Sequence, residues 1–156
     1  MTDRHSSLDL SYVSRSPHMA DVGLGVDHVG PGRATMTMPP RADWLGDPVR
    51  GQMHPGAITV LADTVCGLGM RAAMPLPGPV ATLDLRMDFL RAASPARATH
   101  CEAECYRLTR EIAFMRATAW QDDRGEPVAI GHGAFMRIAG EPRGQGGHGG
   151  QGGGEG

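Results

Sequence analysis

Apolar residues recur along this chain with two different periods, and the switches between them mark out its elements. Residues 34–38 alternate apolar and polar, the period of a half-buried strand. Pro39 and Pro40 end that strand, because proline cannot donate to a ladder. After a loop holding Asp43, Gly46, Asp47 and Pro48, residues 55–74 stay apolar with few breaks. Pro55 suits the first turn of a helix, where its missing N–H is not needed, and Pro75 and Pro77 stop that helix. Residues 81–90 alternate again, with Leu83, Leu85, Met87 and Phe89 on one face and Thr82, Asp84, Arg86 and Asp88 on the other. Three more strands follow at 99–108, 112–120 and 128–138. The first turns Cys101, Ala103 and Cys105 inward, and a hairpin turn at residues 122–125 joins the last two.

This order predicts an α+β fold in which an antiparallel sheet wraps around one long central helix and buries it on nearly all sides. The last four strands are expected to run as a meander. Both ends are poor in core formers, so the expected division is an arm over 1–18, a domain over 19–139 and a Gly-rich tail over 140–156. The tail buries too little apolar surface to offset its ordering entropy and is expected to be disordered, while the arm is expected to be mobile or to dock as a short segment.

Composition narrows the function classes. Fifteen basic residues, all Arg, stand against seventeen acids for a formal charge of −2. No basic stripe suggests nucleic-acid binding. No apolar run reaches the roughly 20 residues that span a bilayer, and residues 1–9 lack the apolar centre of a signal peptide, so a cytoplasmic location is expected. Cys66, Cys101 and Cys105 have no metal-ligand spacing and read as reduced, apolar thiols. His5, His18, His28, His100, His132 and His148 show no paired spacing either, so neither a metal nor a cofactor is expected.

Asp63 is the outstanding chemical candidate. It sits mid-helix among Ala57, Ile58, Val60, Leu61, Val65 and Leu68, where a carboxylate is costly unless paired, hydrogen-bonded or protonated. At about 100° per residue, Gly56, Thr59, Gly67 and Met70 share its face, a small and partly polar surface that a ligand can approach. An Asp paired with an Arg, or capping a loop, is the purely structural alternative. Cys66, one turn on, lacks an identifiable base and reads as core.

The stretch from His54 through Pro55, Gly56 and Ala57 to Asp63 and Thr64 resembles the His-Gly-Gly segment and helical Asp of the phenylacetyl-CoA thioesterase branch of hotdog-fold proteins. Residues 81–85 resemble that branch's T-x-D-L strand, 89–93 its Y-L-R-P-A exit, and 125–135 its final hairpin. The resemblance spans roughly residues 30–138 and implies hydrolysis of an acyl-CoA or aryl-CoA thioester. It implies Asp63 as nucleophile or general base, a backbone N–H at the helix start polarising the carbonyl, and Thr82 orienting the attacking water. A helix N-terminus offers free N–H groups and a positive dipole end for the oxyanion, and a carboxylate two turns along is expected near the carbonyl carbon.

Two positions depart from the family pattern. Pro55 occupies the oxyanion-donor position and has no N–H, which moves that task to Gly56. Pro48 replaces an upstream Asn or Gln, for which Gln52 is the candidate substitute. His54 either hydrogen-bonds the carbonyl and fixes the loop, or only packs at the helix start. Substrate contacts are expected from Gln52, Pro55, Gly67 and Met70, with Arg91, Arg107 and Arg110 as candidates for pantetheine and nucleotide. Met53, Met74 and Met87 are candidates for a plastic acyl pocket. A homodimer or homotetramer with its site at the subunit boundary is implied, because one sheet over one helix leaves an open face and a free edge. A dehydratase or hydratase acting on acyl thioesters and a non-catalytic acyl-CoA-binding protein are the alternatives.

Overall fold

The computed structural model describes residues 16–75 and 78–138. A short helix, α1 (Pro17–Val22), leads into strands β1 (Gly25–Gly30) and β2 (Arg33–Met38). A 3₁₀ turn at Ala42–Trp44 and two short strands, β3 (Leu45–Asp47) and β4 (Gln52–Met53), carry the chain to the long helix α2 (Pro55–Ala73). Strands β5 (Val80–Phe89), β6 (Thr99–Leu108), β7 (Ile112–Trp120) and β8 (Ala129–Arg137) follow. The result is the hotdog fold: a six-stranded antiparallel sheet with one long helix packed on it. The predicted arm lies outside the described residues except for 16–18, where α1 begins, and the predicted tail lies wholly outside them.

Two expectations are corrected. The last four strands are not a meander: the order is β1-β2-β6-β7-β8-β5, so β5 pairs with β8 and β6 pairs with β2. Alternation identifies a strand but carries no information about which partner its edge will find. Nor is α2 buried on nearly all sides. Ile58, Leu61, Ala62, Val65, Cys66, Leu68 and Gly69 are buried, whereas Gly56, Thr59, Val60, Asp63 and Gly67 form a half-buried stripe. The sheet covers one side of the helix, and that stripe runs along another.

Small residues let helix and sheet meet closely. The inner face of the sheet carries Ala34, Ala103, Ala113, Ala117, Ala119 and Ala129, all at most 1% exposed. Opposite them, a Cβ on Gly69 would stand 2.9 Å from Met115 Cε and 3.7 Å from Ala103 Cβ. On β8, Gly131 and Gly133 make room for side chains of β5: a Cβ on Gly131 would lie 2.7 Å from Met87 Sδ.

Strand β5 has a bulge. Thr82 pairs with Phe135 and Asp84 with Ala134, leaving Leu83 as the extra residue. Beyond it, Leu85 pairs with Gly133 and Met87 with Gly131, whose faces turn inward. Since paired residues share a face, Thr82 joins Leu85 and Met87 on the helix side. Uniform alternation had placed Thr82 on the opposite face. Leu83, with no counterpart on β8, is 51% exposed.

The glycines give a stability contrast. A Cβ on Gly133 would meet Asp84 O at 2.6 Å and Phe135 Cε2 at 2.9 Å, so Gly133→Ala should cost about 1–3 kcal/mol. A Cβ on Gly67 meets nothing within 4 Å, so Gly67→Ala should gain about 0.5–1 kcal/mol in the helix. Urea denaturation of both variants checks the opposite signs.

Candidate active site

The start of α2 is built by the residues just before it. His54 N–H donates to Trp44 O at 2.7 Å and Met53 N–H to Ala93 O at 2.8 Å, which fixes β4 between two loops. Gly46 lies against this corner, where a Cβ would stand 2.7 Å from His54 Cα. His54 is the N-cap residue, and its Nδ1 accepts the Gly56 N–H at 3.0 Å. Ala57 N–H turns back to His54 O at 3.1 Å. The N–H expected to face a carbonyl oxygen is therefore held by the His54 ring, and the His54 side chain must swing away to release it. Pro55 contributes its fixed φ and no donor.

Two turns along, Asp63 is half-buried and accepts a hydrogen bond from Thr82 Oγ1 at 2.7 Å on Oδ1. The bulge at Leu83 is what brings the Thr82 hydroxyl to this face. No ion pair to Asp63 occurs among the described residues, which removes the Arg-paired alternative there. With Oδ1 oriented by Thr82, the second oxygen is available to a water or a carbonyl carbon. Asp63 is seven helical steps beyond Gly56, about 10.5 Å along the axis. A carbonyl oxygen bonded about 3 Å from an N–H keeps its carbon within roughly 4 Å of that nitrogen. The oxyanion position and the Asp63 carboxylate therefore lie about two helical turns apart on one chain.

Two clefts flank this stripe. One, of about 370 Å³, is lined by His18, Met19, Thr59, Val60, Asp63, Thr64 and Leu85. The other, of about 250 Å³, lies at the helix start against Val22, Trp44, His54, Gly56 and Ala57. Helix α1 contributes His18 and Met19 to the first cleft and His18 and Val22 to the second, a role no sequence signal announced for so short a segment. Among the described residues, no three His, Cys, Asp or Glu side chains are grouped to hold a metal ion.

The structure brings Asp63 together with Thr82, and His54 with Gly56, but does not bring every candidate to the clefts. Met70 is fully buried in the core, while Met53 and Met74 are nearly so. Arg91 pairs with Glu126 at 2.5 Å, and the acid's hydrogen bond raises the Arg91 pKa above its ordinary value. Arg110 stands almost wholly in solvent, 3.4 Å from Glu111. Gln52 is half-buried in β4, and Gly67 continues the stripe beyond Asp63. Burial pushes the Cys66 thiol well above its ordinary pKa, with Cys101 and Asp63 adding to the effect, which disfavours the thiolate a nucleophile needs.

Comparison with known proteins gives a consistent answer. The sequence model of the thioesterase superfamily matches residues 50–128, a stretch that includes His54, Asp63 and Thr82. A protein of Halobacterium salinarum named as an esterase is 30% identical over 142 residues, covering 85% of this chain and 92% of that one. A crystal structure of a Pseudomonas aeruginosa protein has 38% identity and a TM-score of 0.73, covering 82% of this chain and 95% of that one. A variant of the phenylacetic acid degradation protein of Thermus thermophilus has 30% identity and a TM-score of 0.69, covering 79% of this chain and all of that one.

The buried thiols behind Asp63 give a pH dependence of stability. Burial, helped by nearby Glu102 and partly offset by a backbone hydrogen bond at Thr118, pushes Cys101 from 9.0 up to about 12. The folded chain thus holds this proton more tightly than the unfolded one. The stability it contributes is complete below pH 9.0 and is lost as the pH rises toward about 12. The urea midpoint should decline across that window, and less steeply in Cys101→Ala.

Proposed function

We propose that this chain, which belongs to the thioesterase superfamily and is a thioester hydrolase in kind, cleaves an acyl-CoA or aryl-CoA thioester to the free acid and CoA. Asp63 is the nucleophile, or the general base that activates water. Thr82 holds the carboxylate and orients the attack, and the start of α2 is the oxyanion site. The observation that carries this reading is the 2.7 Å hydrogen bond from Thr82 to Asp63 on the stripe that the sheet leaves open. The likeness to a phenylacetic acid degradation protein supports an aryl acid as the acyl part of the substrate. Such a substrate fits a cytoplasmic enzyme, and no helix among the described residues is long and apolar enough to cross a membrane.

The site is proposed to lie at the boundary between two copies of the chain. The Gly56 and Asp63 Cα levels are about 10.5 Å apart along the helix, and an N–H at the helix start points away from Asp63. In this reading a second copy therefore supplies the oxyanion donor for the first copy's carboxylate. Strand β5 is an edge of the sheet and exposes Leu83, Phe89 and, just beyond it, Leu90, which suits it to pair across a homodimer or homotetramer.

One observation favours a second reading. The committed Gly56 N–H, next to a proline with none, would suit an acyl-CoA-binding protein without turnover. A hydratase has less support, because the His54 ring already serves as the helix cap.

Release of free thiol from a panel of acyl- and aryl-CoAs separates these. Asp63→Asn should lose about 10²–10⁴-fold in kcat with its circular dichroism unchanged. Thr82→Val should lose less, again in kcat rather than KM. Unchanged release in Asp63→Asn would overturn the assignment, and tight binding without release by the native protein would establish the second reading.

A further inference from the structure

The two clefts along α2 share two lining residues, His18 and Val60. Val60 lies one turn beyond Gly56 and one turn before Thr64, so it marks the midpoint between the helix start and the Asp63 neighbourhood. His18 comes from α1. Side chains of two elements thus border both clefts where these adjoin.

Helix α1 is firmly attached for so short a piece. Val22 is 3% exposed and packs into the core. Met19 Sδ accepts the Thr64 hydroxyl at 3.3 Å, and the Asp21 carbonyl accepts the Arg41 guanidinium. These contacts fix the backbone that carries His18. The imidazole itself is exposed and makes no hydrogen bond or ion pair with the other described residues.

We propose that His18 is a specificity-determining residue that sets how long an acyl group the site accepts. An acyl chain whose carbonyl lies at Asp63 fills the larger cleft and runs along α2 until it meets His18 beside Val60. Past that point the smaller cleft has an apolar wall of Val22, Trp44 and Ala57 that rewards further methylenes, while His54, Gly56 and Asp43 form its polar end at the helix start. With His18 in place, the chain stops short of it. The inference rests on the reading above for the placement of an acyl-CoA along α2, and does not depend on turnover.

S-alkyl-CoA thioethers of increasing chain length, which cannot be hydrolysed, test this by calorimetry on the full-length native protein, His18→Ala and His18→Phe. The native protein should gain affinity with length and then level off. His18→Ala should keep gaining about fourfold per added methylene beyond that length, while His18→Phe should level off sooner. Identical length profiles in all three proteins overturn the proposal. So does an equal fall at every length in His18→Ala, which would place His18 on the pantetheine arm. No thioether binding by any of the three also overturns it. Thiol release from acyl-CoAs is read separately: a shifted binding profile without release would reject the hydrolase reading and leave the role of His18 standing.

Discussion

The close seat of α2 on the sheet is the constraint from which the rest of this structure follows. Gly69 lets Met115 Cε come to where a Cβ would stand only 2.9 Å from it, across a sheet face made of alanines. Dense packing of this kind gathers many weak dispersion contacts and tolerates little change in volume. It also fixes the rotation of the helix about its own axis. With Gly69, Cys66, Ala62 and Ile58 committed to the core, the stripe bearing Gly56, Asp63 and Gly67 is left half-covered. A carboxylate is tolerated in this apolar helix because the packing of its neighbours turns it toward the side the sheet leaves open.

The helix and most strands were legible because their signals are local. Apolar run and proline punctuation gave the helix to within a residue of Pro55–Ala73, and alternation gave β6 and β7 at their observed bounds. Asp63 was legible for a related reason: a charge inside a long apolar run is an anomaly that a single sequence displays. The family resemblance added Thr82, which the period alone had assigned to the wrong face.

What could not be read depends on partners distant in the chain. The pairing of β5 with β8 is decided by how two edges fit, and neither segment records the other's identity. The role of α1 was hidden because six residues are too few to show a helical period, and its value comes from Val22, Met19 and His18 meeting α2 or the core. The capture of the Gly56 N–H by His54 is a matter of one side-chain torsion. Arg91, Arg110 and Met70 were credible by residue type, but their neighbours direct them elsewhere: two into solvent beside acids and one into the core.

The bulge in β5 has an evolutionary side. Thr82 and Leu85 face the same helix although they are three positions apart, because Leu83 takes up the odd residue outside the ladder. The strand thus behaves as two short segments joined by a slack link, one answering to Asp63 and the other to the packing of Met87 over Gly131. A single-residue deletion at Leu83 in the course of descent would tighten the link without evicting either Thr82 or Leu85 from its face. Drift in the length of this strand can therefore be absorbed between the hydroxyl that holds Asp63 and the side chains that serve the core, so the two can be selected independently.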